Sequence, residues 1–116
     1  MNRIILALDT TNLKEAISVT KKIKNKIFTI KLGLEFFNAH GKEGVKKFNE
    51  IGITNLMLDL KLKDIPETVY KAVKALDNIK FGFLTTQIIL VIHIMNLRQK
   101  VLYLQMMFSM LQYFYG

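Results

Sequence analysis

Apolar and polar positions alternate along this chain with two different periods. "IILALD" (4–9) is a short, branched apolar run, the pattern of a strand buried in a parallel sheet. "NLKEAISVTKKIKN" (12–25) follows, with Leu13, Ala16, Ile17, Thr20 and Ile23 near helical spacing. Asn12 with Glu15 three residues later predicts an N-terminal cap. "IFTIKLG" (27–33) predicts a second strand. "LEFFNAHGKEGVKKFNEIG" (34–52) predicts a helix that is broken or kinked near Gly41 and Gly44 and closed by Gly52. "TNLMLDLKL" (54–62) predicts a third strand. "PETVYKAVKALDNI" (66–79) predicts a third helix with Pro66 in its first turn, and "FGFLT" (81–85) a fourth strand.

Strand and helix in strict alternation, at about 25–30 residues per unit, predict an α/β fold with a parallel sheet. No Gly-x-Gly-x-x-Gly follows the first strand and no Walker-type loop is present, which weighs against a nucleotide-binding reading. Polar residues collect instead at the carboxyl ends of the strands: Asp9, Lys31, and Asp59 with Lys61. That is the face on which (β/α)-barrels carry their sites.

The pattern changes after the fourth strand. From Phe81 to Gly116 the only charged residues are Arg98 and Lys100. "IILVIHIMNL" and "VLYLQMMFSMLQYFYG" are apolar without a clean period of 2 or 3.6. The expected division is therefore 1–85, an α/β unit, and 86–116, an aberrant apolar tail. The tail is expected to be less ordered than residues 1–80 and prone to aggregation. Neither apolar run reaches about 20 residues, so a membrane span is not expected.

Composition adds bounds. The chain has 116 residues, 51% of them hydrophobic and 22% charged, enough for one small globular domain. With no cysteine, a disulfide framework and a thiolate metal site are excluded. The opening "MNRIILALDTTN" does not read as a signal peptide, and a cytoplasmic location is expected. The net charge is +8, but the lysines are scattered at helical spacing rather than clustered with arginine and aromatics. No nucleic-acid partner is expected; a small phosphorylated molecule suits a positive surface as well.

The chemistry concentrates in "LMLDLKLKDIPETV" (56–69). Asp59 and Lys61 lie two residues apart on a strand, so their side chains point the same way. An exposed ion-pair run is the bland reading of such a cluster. Its place at the end of an apolar strand, just before a turn and a helix start, favours a site in which each charge depends on the others.

"DLKLKDIPETV" resembles the Asp-x-Lys-x-x-Asp-Ile-Pro-x-Thr-Val motif of the orotidine 5′-phosphate decarboxylase family. "ALDT" (7–10) and "IKLGLEFF" (30–37) resemble that family's first and second strand ends. The resemblance implies a partial (β/α)8 TIM barrel, roughly its first four strands, followed by a tail unlike the family. It implies a cofactor-free and metal-free carbon–carbon lyase that converts orotidine 5′-phosphate to UMP and carbon dioxide in pyrimidine biosynthesis. By the same resemblance Lys61, Asp59, Asp64 and Lys31 are catalytic, and Asp9, Lys31, Ile65 and Thr68 bind substrate. Asp64, Ile65 and Thr68 would serve the neighbouring subunit of a homodimer. The related sugar-phosphate decarboxylases and aldolases would carry an acidic residue in place of Lys31, use magnesium and lack Ile65-Pro66-Glu67-Thr68.

The resemblance ends near residue 85. The family's later strands, its pyrimidine-closing loop and the glycine and arginine that grip the phosphate have no counterpart, and His93 sits in a plain apolar run. The expectation is a truncated remnant, produced by a frameshift near residues 84–88 and inactive or unstable. On that account another reading frame of the gene holds the missing barrel. The alternatives are a half-barrel that dimerises into a weakly active body, a fragment of the related sugar-phosphate enzymes, and a non-catalytic fragment whose tail binds a membrane or a partner.

Overall fold

The computed structural model describes residues 3–88, and the expectations for residues 89–116 lie outside them. Seven elements alternate: β1 (Ile5–Leu8), α1 (Leu13–Ile23), β2 (Thr29–Gly33), α2 (Leu34–Glu50), β3 (Met57–Asp64), α3 (Pro66–Lys74) and β4 (Phe83–Ile88). The four strands form one sheet in the order β1-β2-β3-β4. β1 pairs in parallel with β2 (Leu8 opposite Leu32), and β2 with β3 (Gly33 opposite Asp59). Sequential strands beside one another, each pair joined through a helix, are the α/β pattern of a partial TIM barrel.

The described chain divides into two compact units, residues 3–61 with 78–85 and residues 62–77 with 86–88. In the first, the period of two in the strands separates two faces. Leu8, Ile30, Leu32, Leu56, Leu58 and Leu60 are buried, together with Ala16 of α1 and Phe36, Val45 and Phe48 of α2. Phe36 meets Phe48 edge-on with ring centroids 5.5 Å apart. At the alternate positions Ile5 and Phe83 are exposed, while Lys31 and Asp59 carry charge. The apolar strands expected from the sequence are thus two-faced, with the buried leucines and Ile30 on one side.

The helix ends follow local chemistry. The Asn12 side chain accepts the Glu15 amide at 3.1 Å, as the capping pair predicts. α2 breaks at Gly41, whose φ of 57° and ψ of −152° leave helical space. Gly44 stays helical and buried, and a Cβ there would strike the His40 Cβ and the Phe36 ring. Gly52, with φ 85°, closes the turn after α2.

The fourth strand starts two residues later than its pattern predicts, because residues 80–82 are held elsewhere. Asn49 accepts the Lys80 amide at 2.8 Å and donates to the Lys80 and Ile53 carbonyls at 2.9 Å each. The Gly82 and Phe83 amides then donate to the Leu56 carbonyl.

In the second unit α3 starts at Pro66 and buries Val69 and Val73. It stops at Lys74, five residues short of the predicted end, and the following turn leads to Asn78 at φ 65°. Among the described residues no helix is long and apolar enough to cross a membrane.

Candidate active site

β3 delivers the central carboxylate. Asp59 is preceded by Leu56, Met57 and Leu58, and Leu56 and Leu58 are fully buried. This holds the strand rigid up to the residue where the chemistry begins. Asp59 itself is buried, with its side chain 10% exposed. Such a carboxylate is costly unless each oxygen is satisfied.

Both oxygens are satisfied. Asp59 Oδ2 accepts from Lys61 Nζ at 2.8 Å and from Lys31 Nζ at 3.3 Å. Asp59 Oδ1 accepts from the Thr85 hydroxyl at 2.8 Å. The Lys61 hydrogen bond, then the Thr85 hydrogen bond, outweigh the burial that would raise the carboxyl pKa, and they hold it down at about 2. Asp59 is therefore a permanent anion at neutral pH.

Lys61 reaches back to Asp59 from only two residues along the strand, and its backbone explains how. Its φ is +47°, in left-handed space that a side chain rarely adopts and that costs of the order of 1–2 kcal/mol. The Lys61 amide donates to Thr85 Oγ1 at 2.9 Å. The ammonium side chain is 59% exposed, against 28% for Lys31. Lys31 is thus a half-covered support, and Lys61 is the cation that a ligand can reach. The three charges sum to +1, which leaves the cluster receptive to a further anionic group.

Asp9 lies just past β1, exposed, on the strand end adjoining β2. Its Oδ1 lies 3.7 Å from where a Cβ on Gly33 would stand, an ordinary contact distance, which puts Asp9 beside the residue opposite Asp59.

Asp64, Ile65 and Thr68 belong to the second unit. Asp64 ends β3 and its Oδ1 accepts the Ile65 amide at 2.7 Å. Ile65 is the residue preceding α3 and is 46% exposed, and Thr68 is exposed in the first turn of the helix.

Of the residues singled out by sequence, Lys31, Asp59 and Lys61 are brought into direct contact. Thr85 is the member that sequence reasoning missed. The available signal was a hydroxyl at the end of the predicted strand "FGFLT" (81–85), the position at which the other predicted strands carry their charges. Among the described residues no group of three or more histidine or acidic side chains is placed to hold a metal ion.

Comparison with known proteins identifies the family. The family model described as "Orotidine 5'-phosphate decarboxylase / HUMPS family" matches residues 2–103, running past the point at which the motif resemblance ends. An orotidine 5′-phosphate decarboxylase of Wolbachia sp. subsp. Brugia malayi is 49% identical over 88 residues, covering 76% of this chain and 39% of that protein. The Ehrlichia canis enzyme of the same name is 47% identical over 87 residues, covering 75% of this chain and 38% of its own length. The chain thus spans about two-fifths of the length of the curated relatives it matches. The match over most of the chain places this chain in the orotidine 5′-phosphate decarboxylase / HUMPS family.

Proposed function

We propose that this chain supplies the charged reaction centre of an orotidine 5′-phosphate decarboxylase. The observation that carries the reading is the Lys31–Asp59–Lys61 cluster, an obligate anion held between two ammonium groups. In the reaction the bond from the pyrimidine C6 to its carboxylate breaks, carbon dioxide leaves, and the electron pair remains on C6. Lys61, the exposed cation, stabilises that developing carbanion and then donates its proton to it. Asp59 faces the departing carboxylate, and its like charge disfavours the bound ground state. Lys31 holds Asp59 through the same oxygen as Lys61, Oδ2, and hydrogen-bonds the ribose, which Asp9 also contacts. The chemistry needs no cofactor.

Asp64, Ile65 and Thr68 are read as residues offered to the site of a second copy. Their exposure supports this, including a large apolar side chain at Ile65. The sugar-phosphate branch of the family is the weaker reading. There a carboxylate would stand in place of Lys31 and share a magnesium ion, whereas here Asp59 Oδ2 already accepts from two ammonium groups.

The test is a chimaera in which residues 1–85 of this chain replace the matching segment of the Wolbachia relative. It is expected to convert orotidine 5′-phosphate to UMP and to lose that activity by at least a thousandfold with Lys61→Ala. A folded chimaera that binds the nucleotide but does not decarboxylate it would overturn the assignment.

A further inference from the structure

We infer that Thr85 is a positioning residue, which joins β4 to the reactive end of β3 and sets both the charge of Asp59 and the direction of Lys61. Its catalytic consequence rests on the decarboxylase reading, but the contacts themselves do not. One hydroxyl serves two partners on β3: it lies 2.8 Å from Asp59 Oδ1 and 2.9 Å from the Lys61 amide nitrogen.

The direction of both hydrogen bonds is forced. An ionised carboxylate can only accept and a backbone amide can only donate. The single hydroxyl proton must therefore point at Asp59, which leaves a lone pair for the Lys61 amide. No other assignment satisfies both partners, so the hydroxyl has no freedom to rotate.

The Lys61 amide is where this matters most. Lys61 is one of two non-glycine residues with positive φ among those described, and its left-handed turn brings Nζ back to Asp59. Such conformations persist where the surroundings over-determine them. The Thr85 bond is the contact that fixes this turn from a neighbouring strand. It ties one end of the hydroxyl to the strained backbone and the other to the carboxylate that the same lysine approaches.

The charged groups in contact with Asp59 are Lys31 on the neighbouring β2 and Lys61 two residues along β3 itself, while Asp9 lies at the end of β1, beyond β2 in the sheet. Thr85 is the uncharged member of this set. Removing its hydroxyl changes no charge, so its effect on Asp59 can be read without disturbing the ion pairs directly.

The experiment uses the full 116-residue chain, without substrate, and follows the Asp59 carboxyl carbon by NMR as pH is lowered. Thr85→Val removes the hydroxyl while keeping the branched shape, and Thr85→Ser keeps the hydroxyl. The expected result is a midpoint raised by about one pH unit in Thr85→Val and close to the parent in Thr85→Ser. The Lys61 amide resonance should move in Thr85→Val and not in Thr85→Ser. If Thr85→Val does not fold, Thr85→Ala read in the same way decides. An Asp59 midpoint and a Lys61 amide unchanged by loss of the hydroxyl would overturn the inference. Within the chimaera, Thr85→Val should lower kcat at least tenfold with little change in KM. Decarboxylation failing while the titration shifts would reject the reaction and leave the positioning role standing. The converse result would reject Thr85 alone.

Discussion

Asp59 carries a charge that the fold stabilises, and this makes stability depend on pH in a defined window. Its folded pKa of about 2 lies below the ordinary value of 3.8. A depressed carboxyl pKa contributes stability that is present above about pH 4 and is lost as pH falls toward 2. The full linkage amounts to roughly 2 kcal/mol, and less in practice because Lys61 is more than half exposed to screening solvent. Urea unfolding of the parent and of Asp59→Asn should therefore differ most near pH 6, with the gap narrowing by pH 3. A gap that widens on acidification would contradict the ion-pair account. The motif "DLKLKD" made Asp59 and Lys61 legible as a pair, since same-face spacing follows from strand geometry alone. The left-handed backbone at Lys61 was not legible. Nothing in a lysine favours positive φ, and the cause lies on another strand, in the Thr85 hydroxyl.

At the scale of elements, α2 shows how two glycines three residues apart do different work. Gly41 needs its φ of 57°, and no atom lies within 4 Å of where its Cβ would stand. Gly41→Ala should therefore cost about 1–3 kcal/mol through backbone strain alone. Gly44 is the reverse case, with helical backbone and no room. Gly44→Ala gains helix propensity but meets the His40 Cβ and the Phe36 ring, for a net loss of about 1–2 kcal/mol. Because the collision is with a Cβ, adding His40→Ala should not rescue it. Recovery of the denaturation midpoint in that double variant would refute the packing argument. The sequence showed a break in this helix but not which glycine made it. Periodicity reports the face a residue occupies, not how closely the next turn approaches. The late start of β4 was hidden for a similar reason, since the contacts that hold Lys80 come from Asn49, 31 residues earlier.

For the whole molecule, the described strands hold the Lys31–Asp59–Lys61 charge cluster, while the chain covers only about two-fifths of its relatives' length. The resemblance places the phosphate grip among the later strands of the barrel. In orotidine 5′-phosphate the phosphate is the part farthest from the reacting carbon, and such remote groups supply binding energy that is used to order a site around the transition state. Ground-state contacts at the ring cannot replace it, because an interaction of equal strength in both states leaves kcat unchanged. The net charge of +8 would still attract the nucleotide, but diffuse attraction neither orients the ring nor excludes water. The 116-residue polypeptide, assayed alone, is therefore expected to give no measurable conversion of orotidine 5′-phosphate to UMP, under conditions where the chimaera turns over. The two preparations share Lys31, Asp59, Lys61 and Thr85, so the difference between them measures what the rest of a barrel adds to an intact charge cluster. Turnover by the polypeptide alone that disappears with Lys61→Ala would show that these strands carry the reaction unaided, and the dependence on a remote phosphate grip would have to be abandoned.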